Sequence, residues 1–194
     1  MYVKGSAVLL SAWRPISSSH KEHPDMKCYR ENNGKMGKKF PTYDVGSKKI
    51  LHIESWSEIT FLNLPETSRL IKMLSELEQY LSYPNKENLQ MYESGWGATL
   101  NSIIVTSTSI AKQFNEGQSI LVEGYSKNLN HMVILSLVQI LLDPFYRTIE
   151  GFAMLIEKDW IGMRFDFGQK AKETSKVIPY FELFLNCVCS ILNE

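Results

Sequence analysis

SILVEGYSKNLNHMVILSLVQILLDP, residues 119–144, decides the reading of this chain. Ser119–Val122 is a short apolar run holding Ile120 and Val122, and a polar stretch follows it, which predicts a buried strand. Glu123–His131 reads as a polar loop. Met132–Leu142 is apolar except at Ser136 and Gln139, which predicts a helix buried on most sides, and Asp143-Pro144 ends it. A loop leading from a strand into a helix presents converging N–H groups and the positive end of a helix dipole, an arrangement suited to an anion. Covalent cleavage of a phosphate ester there needs more. A nucleophile is required, such as a cysteine whose thiolate the N–H groups stabilise. An arginine must grip the phosphate oxygens in pairs, and an acid must protonate the leaving group. Position 124, where the nucleophile would stand, is glycine, and position 130, six residues on, is asparagine. Glu123 adds a negative charge beside the anion position, which Lys127 and His131 offset only in part.

Outward from this stretch, SAVLLS (residues 6–11) predicts a strand, and Ile50–Ile53 and Glu58–Leu62 predict two more about a turn. Residues 14–49 between them are rich in Gly, Pro, Ser, Asn and Lys with little periodicity, and predict a long loop or poorly ordered insert. Pro65 falls where the first turn of a helix tolerates proline. Leu70, Met73, Leu74, Leu77 and Leu81 then recur at spacings of three and four, as on one face of a helix. Asn88–Gly97 predicts a loop. A second helix is expected over Ala98–Phe114, through Thr106, Ser107, Thr108 and Ser109, ending near Gly117. One helix is predicted across PFYRTIEGFAMLIEKDW (residues 144–160), and a last one, Tyr180–Leu192, carries Phe181, Phe184, Leu185, Val188, Ile191 and Leu192. Strands near the front and middle with helices between them give the α/β class.

Composition narrows the function. With 194 residues, 44% of them hydrophobic, the chain can build a core. Lys plus Arg and Asp plus Glu number 21 each, so no net charge favours a nucleic-acid partner. Met132–Leu142 falls short of the about 20 apolar residues that span a bilayer. The N-terminus, MYVKGSAVLLSAW, with one lysine and a broken apolar run, makes a poor signal peptide. Three cysteines, Cys28, Cys187 and Cys189, fit a reducing compartment, so a cytoplasmic protein is expected. Cys187 and Cys189, two apart on a helix, point to different faces and read as packed thiols. His20 and His23, beside Glu22 and Asp25 in a polar loop, lack a frame for a metal; no metal site and no cofactor are expected. Cys28 has Arg30 only two residues on and no strand before it, which argues against an alternative nucleophile there.

The segment from Leu141, LLDPFYRTIEGFAMLIEKDWI, resembles the stretch that follows the phosphate loop in myotubularins, phosphoinositide 3-phosphatases with a cysteine-phosphatase fold. Working members carry S-[IV]-L-V-H-C-S-D-G-W-D-R-T and then a helix of the S-L-x-Q-L-L-L-D-P type. Here SILVEGYSKNLNH runs into MVILSLVQILLDP with the same length and no gap. On that match Glu123 replaces the motif histidine, Gly124 the nucleophilic cysteine, Ser126 the first aspartate, Leu129 the second aspartate (the family's general acid) and Asn130 the arginine. GSAVLLSAWRP, EITFLNL, YESGWGATLNSIIVTSTSIAKQFNEGQSILV and IPYFELFLNCVCSI resemble further segments of the same domain. The likeness is most specific from Gln139 to Trp160 and weakest before Leu51. Residues 14–49 diverge, and MRFDF (163–167) stands where the family has F-G-H-K-F.

The resemblance implies a cysteine-phosphatase-like α/β domain with a central sheet flanked by helices, of which residues 1–194 are a part. On the same resemblance the chain is expected to lack the PH-like module that precedes this domain in the family and to stop short of the domain's end. It also implies that the degenerate loop Glu123, Gly124, Tyr125, Ser126, Lys127, Asn128, Leu129, Asn130 and His131 holds no catalytic residue. The function expected is a non-catalytic pseudophosphatase, an adaptor for an active myotubularin-family partner, cytoplasmic and peripheral on endosomal membranes. Two alternatives stand beside it. In one, Lys127, Asn128, Asn130 and His131 hold a phosphoinositide headgroup at a membrane surface without turnover. In the other, a residual phosphatidylinositol 3-phosphate phosphatase activity persists. Arg147, Glu150 and Glu157, in the best-matched segment, are expected to serve structure.

Overall fold

The computed structural model describes residues 2–4, 7–14, 40–46, 57–82, 95–125, 128–168 and 177–193. Five strands form one sheet: β1 (Tyr2–Lys4), β2 (Ala7–Arg14), β3 (Phe40–Asp44), β4 (Ser57–Phe61) and β5 (Ile120–Tyr125). Their order is β1-β2-β5-β3-β4, with β1 antiparallel to β2 and every other pairing parallel. The central strand β5 is buried at each residue from Ile120 to Gly124, the continuous pattern of a parallel strand enclosed on both faces. In β2, Ala7 and Leu9 are buried and Val8 and Leu10 half-buried, the period-two alternation of a strand. β1 has three residues, too few for any periodicity to announce it.

One expectation is overturned here. Residues 14–49 are not wholly a loop, because β3 lies within them and takes an inner place in the sheet. Pro41 hides the strand in the sequence, since proline has no N–H for a ladder. The register shows how it is tolerated: Pro41 stands opposite Glu58 of β4, while pairing with β5 starts only at Thr42, opposite Leu121. The expected strand at Ile50–Ile53 lies outside the described residues, as do His20, His23 and Cys28.

The helices are α1 (Thr67–Ser82), α2 (Trp96–Asn115), α3 (Asn130–Leu142), α4 (Ile149–Ile156) and α5 (Tyr180–Leu192). The fold is thus mixed α/β, as expected of a cysteine-phosphatase-like domain. The Glu66 carbonyl accepts the Leu70 N–H at 3.0 Å, so Glu66 caps α1 and Pro65 stands before the helix rather than in its first turn. Leu70, Ile71 and Met73 are buried, but Leu81 is 65% exposed and falls outside the apolar stripe. α2 starts two residues earlier than expected, at the buried Trp96. It ends in a Schellman motif: Gly117, at φ +85°, donates to Phe114 at 3.0 Å, and Gln118 to Gln113 at 3.1 Å.

The single helix expected over residues 144–160 is three pieces: a 3-10 turn (Pro144–Arg147), α4, and a π-helical turn (Glu157–Ile161). Thr148 causes the first break. Its backbone is extended, its amide and hydroxyl both donate to the Phe145 carbonyl, and its Oγ1 accepts the Gly151 N–H at 3.0 Å. Gly151 is needed at this corner, since a Cβ there would stand 1.9 Å from the Phe145 carbonyl oxygen. The π turn carries Trp160, fully buried against Phe165, Phe181 and Phe184. α5 has the bounds expected of it, though Leu185 and Leu192 are exposed. Cys187 is buried, which pushes its thiol up to about 12, and Cys189 is exposed. Arg147, Glu150 and Glu157 are exposed, and among the described residues no ion pair joins them.

Close packing divides the chain into two units, Met1–Leu64 with Gln113–His131, and Pro65–Lys112 with Met132–Glu194. The sheet belongs to the first. In the second, Gln139 of α3 donates to Asp159 and accepts from Lys158, whose Nζ also reaches the Tyr146 hydroxyl at 2.9 Å. Ser136 and Gln139, the two polar residues of α3 after His131, both bond Asp159. No helix among the described residues is long and apolar enough to cross a membrane.

Candidate functional site

The stretch read as one loop, Glu123–His131, is mostly regular structure. Glu123, Gly124 and Tyr125 finish β5, and Asn130 and His131 begin α3. Of the rest, Asn128 and Leu129 are described, and Ser126 and Lys127 lie outside the described residues. The strand persists because β2 and β3 hold it on both sides: Glu123 is in register with Ala12 and Asp44, and Gly124 with Trp13. Val45 extends the grip, donating to the Glu123 carbonyl at 3.1 Å.

Asp44 and Glu123 are therefore opposed in register, and both are buried. Asp44 Oδ1 accepts the Gly46 N–H at 2.8 Å and fixes the turn after β3. The strand ends that feed the loop thus carry two acidic side chains, which disfavour a phosphate.

Gly124 has no room for a side chain. A Cβ built there would stand 2.2 Å from His131 Nδ1, 2.8 Å from His131 Cγ and 2.9 Å from the Asn128 carbonyl oxygen. The imidazole of His131 thus fills the space beside the residue that takes the nucleophile's position. His131 is itself buried, and burial lowers its pKa to about 4 against the opposing effect of a 3.3 Å contact with the Asn128 carbonyl. It is a neutral ring at physiological pH. A bond from Nδ1 to a carbonyl requires the tautomer with its proton on Nδ1.

Asn128 is the residue that the sequence reading undervalued. It is 1% exposed, and its side chain uses both ends. Its Oδ1 accepts the Asn130 N–H at 3.2 Å and the Asn130 Nδ2 at 2.7 Å. Its Nδ2 donates to the carbonyls of Val45 and Leu64 at 3.4 and 3.3 Å. The network fixes the amide's orientation, since a flip would set oxygen against two carbonyls. The signal in the sequence was the Asn-x-Asn spacing ahead of an apolar helix, the pattern of an Asx turn. Leu129 is half-exposed and has no ionisable group. Of the four residues suggested to hold an anion, Asn128, Asn130 and His131 are buried and bonded to one another, and Lys127 lies outside the described residues.

Residues 26–194 match the family described as Myotubularin-like phosphatase domain. The chain is 31% identical over 142 residues, 71% of its length, to a probable serine/threonine-protein kinase of Dictyostelium discoideum, of which this covers 4%. It is 32% identical over 112 residues to a phosphatidylinositol-3,5-bisphosphate 3-phosphatase of Caenorhabditis elegans, covering 52% of the chain and 16% of that protein. It is 30% identical over 133 residues to myotubularin-related protein 9 of Bos taurus, covering 64% of the chain and 24% of that protein. The chain spans no more than about a quarter of any of these relatives.

Proposed function

Because the chain belongs to the myotubularin-like phosphatase-domain family of phosphoinositide phosphatases, we propose that it is a non-catalytic member, acting as an adaptor or regulatory partner of an active phosphoinositide 3-phosphatase. The observation that carries this reading is the pairing of Gly124 with His131. Turnover through a covalent intermediate needs an atom at position 124 to form a bond to phosphorus. Gly124 supplies none, and the His131 ring takes up the space. Leu129 cannot protonate a leaving alcohol, and Asn130 is neutral, buried and bonded to Asn128, so position 130 supplies no cation to clamp equatorial oxygens.

A domain that loses its nucleophile keeps its surfaces, and an adaptor role needs only those. The burial of Asn130 and His131 favours an adaptor over a headgroup reader. On this reading the chain is cytoplasmic and reaches endosomal membranes through its partner.

Two measurements test the proposal. Phosphate release from vesicles containing phosphatidylinositol 3-phosphate is expected to equal the protein-free rate; release that scales with protein concentration would sink the non-catalytic reading. Affinity capture of the tagged chain from its source cells is expected to recover an active myotubularin in near-equal amount. Recovery of the chain folded and alone would sink the adaptor reading.

A further inference from the structure

We propose that the start of α3 in the remnant phosphate loop is liganded from within, the Asn128 carboxamide occupying two donors of Asn130 that an anion would use, so that this chain has lost phosphate binding together with turnover. The inference rests on the non-catalytic reading and extends it to ligand binding. In a phosphate loop, the donors at the start of the following helix turn toward an anionic oxygen. Here Asn128 Oδ1 receives two of them, the Asn130 N–H at 3.2 Å and the Asn130 side-chain amide at 2.7 Å. Asn130 stands at the position of the family's arginine, so the side chain that would hold phosphate holds Asn128 instead.

The other end of the carboxamide makes the arrangement hard to displace. Nδ2 bonds the Val45 and Leu64 carbonyls, which ties the helix start to the segment after β3 and to the one after β4. The Leu64 N–H donates to the Val45 carbonyl at 3.0 Å, so the two anchoring segments are themselves joined. The Asn128 backbone carbonyl receives His131 Nδ1 and lies against Gly124, which closes the same space from the other side. An incoming phosphate would have to break these contacts and enter beside Asp44 and Glu123, both buried.

The test is thermal unfolding of the full chain against inorganic phosphate, with sodium chloride matching ionic strength. A second arm uses the soluble headgroup inositol 1,3-bisphosphate, which separates headgroup recognition from recognition of phosphate alone. For the native chain, neither anion is expected to raise the midpoint saturably. Asn128→Ala should lower the midpoint by about 5–10 °C, and phosphate should restore part of it saturably. Asn128→Asp keeps the acceptor but sets its second oxygen against the Val45 and Leu64 carbonyls; its midpoint should fall at least as far as that of Asn128→Ala, with no saturable response. The idea is overturned by saturable stabilisation of the native chain or of Asn128→Asp, or by an Asn128→Ala chain as stable as the native one. If Asn128→Ala does not fold, the titration of the native chain still decides. Phosphate binding without lipid hydrolysis would sink this inference alone, whereas hydrolysis by the native chain would sink the non-catalytic reading as well.

Discussion

At the scale of single residues, the His131 ring fills the space beside Gly124, the position that the proposed reading assigns to a lost nucleophile. Restoring the two most conspicuous losses, with Gly124→Cys and Asn130→Arg together, should therefore yield no phosphate release from phosphatidylinositol 3-phosphate. Glu123 and Leu129 still differ from the working motif, and the new Cβ meets the imidazole. The same double variant should be less stable by about 2 kcal/mol or more from overpacking, read as a shift in urea midpoint. Clear turnover by it would show that position 131 yields. His131 makes a second prediction through its proton. Its pKa is about 4 when folded and 6.5 when exposed, so the folded state favours the neutral ring. Its contribution is complete above pH 6.5 and is lost as pH falls toward 4, because only the unfolded chain takes up the proton in that window. Between pH 7.5 and pH 5 the loss should be about 2 kcal/mol. Urea unfolding at both pH values checks it: His131→Gln should remove about that much of the pH dependence, and an unchanged slope would refute the assignment.

At the scale of elements, corners separate what the sequence shows from what it hides. α5 was legible to the residue, because six apolar residues recur at helical spacing with no competing signal. The segment 144–160 reads as one helix because its apolar periodicity runs through Thr148, a position that the side chain can cap as well as pass. Only the observed hydroxyl bond to Gly151 decides between those uses. Gly151→Ala tests the corner: its Cβ would fall 1.9 Å from a backbone oxygen that has no flexible end to move. It should destabilise the chain by about 3 kcal/mol, measured by chemical unfolding. A cost near that of an ordinary surface substitution would mean that the 3-10 turn is not held against α4. β3 was hidden for a different reason, since Pro41 argues against an inner strand until the register shows that only one of its sides is paired at that residue.

At the scale of the whole molecule, the second unit depends on a ring cluster that spacing alone does not specify. Trp160 is fully buried with ring centroids of Phe165 and Phe181 at 5.0 Å and Phe184 at 5.3 Å. Trp160→Ala should cost about 4 kcal/mol, the upper range for a buried aromatic, and lower the thermal midpoint accordingly. A loss under about 1 kcal/mol would mean that the cluster packs loosely. The amino-acid sequence by itself determined the α/β class, the strand–loop–helix at 119–142 and the absence of a cysteine and an arginine from residues 123–131. Those follow from local periodicity and residue identity, which a chain carries wherever it folds. Only the tertiary structure decided that β3 is an inner strand, that His131 is buried beside Gly124, and that Asn128 joins the start of α3 to Val45 and Leu64. Each joins residues far apart in sequence or turns on which polar groups lose water, and burial is a property of the packed whole.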